Sequence, residues 1–129
     1  MRQAAPDFAD SRLLLLDSIT EIRPEDHGRV IVAASHAGVS AVAYAFGSGA
    51  LCCFFNDAGI GKDQAGISGL GPLAEQGIAA ATYSHTSARI GDALDAWAGG
   101  ILSHVNDLAA AQGLLPGMRV QQAVARLLG

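Results

Sequence analysis

Charge is scarce in this chain. Of its 129 residues only 16% are Asp, Glu, Lys or Arg, against roughly 25% in ordinary globular chains, and Lys62 is the only lysine. Aromatic residues make up 5%. With a net charge of −4 and no basic cluster, the chain lacks the electrostatic footprint of a nucleic-acid-binding module. Long unbroken apolar runs are missing too. Residues 30–55 carry no formal charge, but Ser35, His36, Ser40, Gly47, Ser48 and Gly49 interrupt them, and a spanning helix needs about 20 mostly apolar residues. The N-terminus carries Asp7 and Asp10 and only the short run Leu13 to Leu16, too short for a signal-peptide core. No membrane association is therefore expected. Cysteine is limited to the adjacent pair Cys52 and Cys53 within ALCCFF, which reads as two small buried hydrophobes. Successive strand side chains point to opposite faces, so a disulfide between them would be strained, and a reducing cytoplasm is the expected compartment.

What is abundant is small and apolar. Half of the chain is hydrophobic, 16 residues are glycine and the mean hydropathy is +0.31. That is enough apolar surface to offset chain entropy and exclude intrinsic disorder, and the length suits one domain. The charges are unevenly spread. Ten of the twenty lie in residues 1–29, and six of the other ten fall in two short segments, Asp57, Lys62 and Asp63, then Arg89, Asp92 and Asp95. A surface that is normally a quarter to a third charged is not built from so few groups. Part of it is expected to be covered by another copy of the chain, giving a homo-oligomer; the alternative is a monomer surfaced with Ala, Gly and Ser.

Three short apolar runs bounded by turn signals, Arg29–Ala34, Ala50–Phe55 and Ile78–Tyr83, fit strands buried on both faces of a parallel sheet. Leu13–Leu16 is a fourth candidate, antiparallel or on an edge. Helical stretches are expected over Val39–Phe46, over Gln64–Gln76 with Gly77 as its C-terminal cap and Pro72 as a break, and over Ile101–Gln112, where Ile101, Val105, Leu108 and Gln112 keep helical spacing and Gly113 closes the segment. Val120, Ala123, Val124 and Leu127 repeat that spacing. The alternation predicts a three-layer α/β fold, a single domain with a mainly parallel sheet of about four strands. Residues 1–11 are expected to be a flexible N-terminal arm and residues 12–129 the domain.

Each buried run is followed at once by polar residues: Ser35 and His36 after the first, Asn56 and Asp57 after the second, Ser84, His85, Thr86 and Ser87 after the third, and Asp17 and Ser18 after the leucines. In parallel α/β sheets ligands bind outside the carboxyl ends of the strands, so these groups converge on one edge, although Asx turns and helix caps use the same residue types. Gly59 and Gly61 let a backbone approach a ligand closely. Lys62 adds a cation, though the segment is neither a phosphate-binding P-loop nor a dinucleotide fingerprint. Arg89 suits bidentate carboxylate recognition, with Asp92 placed to orient it, or else to pair with it and fix the loop. His36 and His85 are the acid–base candidates, with Asp57 beside them. His27 reads as exposed linker, and His104 joins the edge only if its segment starts there. A zinc site from His36, His85 and Asp57 lacks the usual ligand spacing, so neither a metal nor a cofactor is expected.

The strings SHAG, FNDAGIGKDQAGI, SARIGDA and SHVN resemble those of a family of small uncharacterised bacterial α/β proteins, over roughly residues 13–118. The resemblance implies one recurring domain type and no activity. The residues themselves suggest an enzyme of hydrolase, lyase or isomerase type for a small carboxylate-bearing metabolite. Lys62 and Arg89 would hold the anion, with Ser35, Asn56, Gly59, Gly61 and Ser87 around it, and His36, Asp57 and His85 would do the chemistry. The rival is a non-catalytic ligand-binding or structural oligomeric subunit.

Overall fold

Six strands form one mixed sheet in sequence order: β1 (Arg2–Gln3), β2 (Leu13–Leu16), β3 (Val30–His36), β4 (Cys52–Asn56), β5 (Ala79–Tyr83) and β6 (Leu102–Val105). The computed structural model describes residues 1–129. Strands β2 to β5 are mutually parallel, while β1 and β6 pair antiparallel on the two edges. The sheet is therefore mixed rather than mainly parallel, with six strands rather than four. The two additions escape a reading based on apolar runs: β1 is only two residues long and polar, and β6 carries Ser103 and His104. The leucine strand β2 is interior and parallel, not antiparallel or on an edge, because β1 takes the edge beside it.

The helices are α1 (Val39–Val42), α2 (Leu70–Glu75), α3 (Ala93–Gly99), α4 (Asp107–Ala111) and α5 (Val120–Leu128). Right-handed crossovers between strands laid side by side in sequence order put every crossover on the same face. Accordingly Ile19, Val42, Ala45, Leu70 and Leu73, all from the links between β2 and β5, pack on Ile31, Cys53, Phe55 and Ala80. The other face, carrying Leu15, Val32, Phe54 and Ala81, is covered by Ala93, Ala96 and Trp97 of α3 and Val120, Ala123 and Val124 of α5. Helices thus lie on both faces, and Cys52 and Cys53 fall in opposite cores as free thiols. Burial pushes both thiols up, that of Cys53 to about 12.

Two expected helices are shorter than their patterns. Between Lys62 and Leu70 the chain is interrupted because Asp63 and Gln64 take positive φ (56° and 58°), leaving a one-turn 3-10 segment, Lys62–Gln64, and then α2. Pro72 sits in the first turn of α2, where a missing N–H costs no helical bond, and Gly77 follows with φ 78°. The stretch expected as one helix over Ile101–Gln112 splits into β6 and α4. The break is Asn106, 7% exposed. Its side chain accepts from the amides of Ala80 and Ala109 (both 3.0 Å) and donates to the carbonyls of Leu70 and Ile78 (both 3.1 Å). Four buried bonds and pairing with β5 outweigh a helical spacing that α4 alone cannot extend.

Residues 1–11, expected as an arm, lie along the domain. Arg2 forms a bidentate pair with the fully buried Asp26 (2.7 and 2.9 Å). Ala5 is buried, Asp7 accepts from the Trp97 indole (2.6 Å), and Phe8 meets the Trp97 ring edge-on with centroids 5.5 Å apart. No helix is long and apolar enough to cross a membrane.

Candidate functional site

The ladder between β3 and β4 runs from Val30 to Val32, breaks, and resumes only where His36 pairs with Asn56. The break releases backbone acceptors from β3. The Ala33 carbonyl accepts from the Tyr83 hydroxyl (2.7 Å) and the Ala34 carbonyl from the Gly91 amide (2.9 Å). Tyr83 is fully buried, and its burial holds the hydroxyl protonated well above its usual range.

Above this splayed end of β3 lies a cleft of about 530 Å³, at the carboxyl ends of β2 and β3. Five hydroxyl-bearing residues, Ser18, Thr20, Ser35, Ser40 and Tyr44, line it, with His36, Asp17 and Ile90. Ser40 and Tyr44 stand four residues apart on the helical segment that leaves β3, so they share a face. The Ser35 hydroxyl also accepts from the Ile19 amide (2.9 Å), which fixes the 3-10 turn Ile19–Glu21 as one wall. His36 is exposed, and its Nδ1 accepts from the Gly38 amide (2.9 Å). In the neutral ring the proton therefore sits on Nε2. A Cβ at residue 38 would lie 2.6 Å from that Nδ1 and 3.2 Å from the Ala65 carbonyl, so a side chain there would displace the imidazole from this position. Asp17 accepts from the Ala93 amide (3.0 Å) and pairs with the Met1 ammonium (3.0 Å); these bonds hold its carboxyl below the usual range.

The remaining predicted residues divide into three groups. Asn56 and Ser87 are spent on the backbone. Asn56 is fully buried, donating to the Ala88 carbonyl (2.9 Å) and accepting from the Ala58 amide (2.8 Å), while Ser87 donates to Ser84 (2.8 Å) and accepts from Ile101 (3.0 Å). Lys62 and Arg89 are exposed, form no ion pair and do not line the cleft. The expected pairing of Arg89 with Asp92 is absent, because Asp92 instead caps α3 by accepting from the Asp95 amide (3.1 Å).

Asp57 and His85 do come together, at the carboxyl ends of β4 and β5. Asp57 is 4% exposed. Its Oδ1 accepts from the amides of Gly59 (2.8 Å) and His85 (3.0 Å) and lies 3.4 Å from His85 Nδ1. Burial works against its ionisation, but the Gly59 amide, the Ser103 hydroxyl and the His85 amide outweigh it, and the carboxyl stays below its usual range. From Asp57 the chain enters a loop with four non-glycine residues at positive φ, Ala58 (52°), Ile60 (68°), Asp63 (56°) and Gln64 (58°), interspersed with Gly59 and Gly61. For a β-branched residue such as Ile60 this conformation is an outlier, and each such residue costs about 1–3 kcal/mol.

His104 lies on β6 opposite Thr82, outside the cleft lining, with Nδ1 buried and unpartnered. No three His, Cys, Asp or Glu side chains gather closely enough to hold a metal. Asp17 and Ser18 are legible in the sequence at a strand end, whereas Thr20, Ser40 and Tyr44 are not singled out there; for the last two the spacing of four on a helix is the available signal. Set against known protein families, curated proteins and solved structures, the chain matches none of them.

Proposed function

We propose that the protein binds a small, polar, uncharged molecule in the cleft at the carboxyl ends of β2 and β3. The observation that carries this is the lining itself, five hydroxyl-bearing residues and one histidine around about 530 Å³, a volume in the range of small-molecule sites. His36 donates from Nε2, the hydroxyls of Ser18, Thr20, Ser40 and Tyr44 read the ligand's oxygens, and Tyr44 and Ile90 flank an apolar portion. A carboxylate-bearing ligand is less well served. Lys62 and Arg89 lie outside the lining, and the one full charge inside it, on Asp17, is negative.

Binding without chemistry is the better reading of this cleft, because it offers no free base. The Nδ1 lone pair of His36 is taken by Gly38, and Asp17 is engaged with Ala93 and the Met1 ammonium. The two buried free thiols fit a reducing cytoplasm as the place of action. Exposed Val39, Leu51, Ile101 and Leu115 fit self-association into a homo-oligomer.

A thermal-shift panel of neutral monosaccharides, polyols and amides beside small carboxylates tests the proposal, since binding to the folded state raises its midpoint. The expected result is stabilisation by a neutral compound, with His36→Ala and Tyr44→Ala each weakening it at least tenfold. Chemical-shift changes mapping away from residues 17–20 and 35–44 would overturn it.

A further inference from the structure

We infer that Asp57 and His85 form a proton-accepting dyad at the carboxyl ends of β4 and β5, separate from the cleft, with His85 Nε2 as the reactive atom toward an acyl compound.

Three observations carry the dyad. First, the two residues are tied by backbone as well as side chain: the His85 amide donates to Asp57 Oδ1 (3.0 Å) while His85 Nδ1 lies 3.4 Å from the same oxygen. That separation is long for an ordinary hydrogen bond and is common between catalytic groups before substrate binds. A carboxylate facing Nδ1 selects the tautomer with its proton there, leaving the lone pair on Nε2, as the orienting acid does in Ser-His-Asp sites. His36 has the opposite arrangement, with Nδ1 accepting, so the two histidines of this edge differ in which nitrogen can take a proton. Second, burial is divided as a dyad requires. The Asp57 side chain is 6% exposed and that of His85 56%, and His85 Nε2 bonds to no protein group. Third, the neighbouring loop comes up to the imidazole at a glycine. A Cβ at residue 59 would sit in van der Waals contact with the ring, 3.4 Å from His85 Cε1 and 3.5 Å from Nε2, and glycine leaves that edge of the ring uncovered by this loop. Strained backbone gathers at functional sites, and four left-handed non-glycine residues follow Asp57 within seven positions.

The reaction this arrangement supports is hydrolysis of an ester. His85 Nε2 takes a proton from water as the water oxygen bonds to the acyl carbon. The adduct collapses with cleavage of the bond to the leaving alkoxide, which takes the proton back from Nε2. The products are a carboxylic acid and an alcohol, and no electrons are transferred. Asp57 does not touch the substrate; it is the positioning residue that holds the tautomer.

The test uses p-nitrophenyl acetate and the full chain. His85→Gln is expected to lower the hydrolysis rate at least tenfold, while His27→Gln, in the exposed linker, leaves it unchanged. Asp57→Asn keeps an oxygen to accept from Gly59 and His85 but loses the charge, and is expected to lower the rate tenfold or more. Long-range nitrogen–proton correlation spectra give a readout that a structural role for Asp57 would not move: neutral His85 carries its proton on Nδ1 and neutral His36 on Nε2, and Asp57→Asn shifts only His85 toward Nε2. A His85→Gln rate within twofold of the parent, a parent His85 protonated on Nε2, or an Asp57→Asn protein with unchanged rate and tautomer each overturns the dyad. If Asp57→Asn fails to fold, the tautomer of the parent protein still decides.

Discussion

The Tyr83 hydroxyl donates to the Ala33 carbonyl oxygen at 2.7 Å, reaching from β5 over β4 to β3. It fills the place left where the β3–β4 ladder breaks, and so holds open the strand end on which the cleft is built. Tyr83→Phe keeps the ring and removes the donor, leaving a buried carbonyl unsatisfied. The expected cost is about 1–3 kcal/mol, read from the urea midpoint at constant slope. A loss under about 0.3 kcal/mol would show that the carbonyl finds another partner.

The Arg2–Asp26 pair fastens the first strand to the turn before β3. Asp26 is fully buried, bonded to Arg2 and to the Arg23 amide (2.8 Å), with Arg29 at 3.3 Å. The Arg2 guanidinium holds its carboxyl below the usual carboxylate range. Arg2→Ala leaves that charge without its main partner, and breaking such a pair costs about 3–5 kcal/mol. Because the folded-state pKa is the lowered one, the stabilisation is fully present above the ordinary carboxylate range and is lost as pH falls through the folded value. Denaturation of parent and variant from pH 7 to pH 2 is therefore expected to show a gap that closes only in the acid range. A gap that persists undiminished at pH 2 would assign the effect to Arg2 packing instead.

Neither cysteine is expected to react while the protein is folded. Cys52 and Cys53 are fully buried on opposite faces of β4, and burial disfavours both thiolates, the form that attacks reagents. A thiol-specific chromogenic reagent at pH 8 is expected to count no thiols in the native protein and two after denaturation. Fast reaction of either one in the native state would mean that the sheet opens locally.

Self-association is expected from the scarcity of charge beyond residue 29 together with exposed Val39, Ile101 and Leu115. Sedimentation equilibrium at micromolar concentration is expected to give a multiple of the 13.1 kDa chain mass. A monomer mass across the accessible range would show that Ala, Gly and Ser suffice as its surface.

Some of this architecture could be read from the sequence because the physics involved is local. Four buried strands announce themselves as apolar runs, and Leu13–Leu16 is matched to the residue. The rest depends on partners distant in sequence. Nothing near Ser103 and His104 says strand, since β6 exists through pairing with Ala81 to Tyr83, and Asn106 ends it through bonds to residues 26 and more positions away. The same holds at the site. Polar residues after strands were visible, but whether Asn56 faces a ligand or the Ala88 carbonyl is decided by a loop 32 residues on. Lys62 and Arg89 read as anion anchors by residue type, yet neither lines the cleft.

The placement of all three parallel crossovers on one face also sets an order of assembly. A chain emerging N-terminus first completes its four parallel strands and their covering layer at Tyr83. The opposite face, with Leu15, Val32, Phe54 and Ala81, stays bare until α3 and α5 follow. At synthesis rates of about 5–20 residues per second, the last third of the chain takes roughly 2–9 seconds to make. For that interval the nascent protein presents an apolar surface that includes Phe54 and Tyr83, which is the form a chaperone or a second nascent chain would meet.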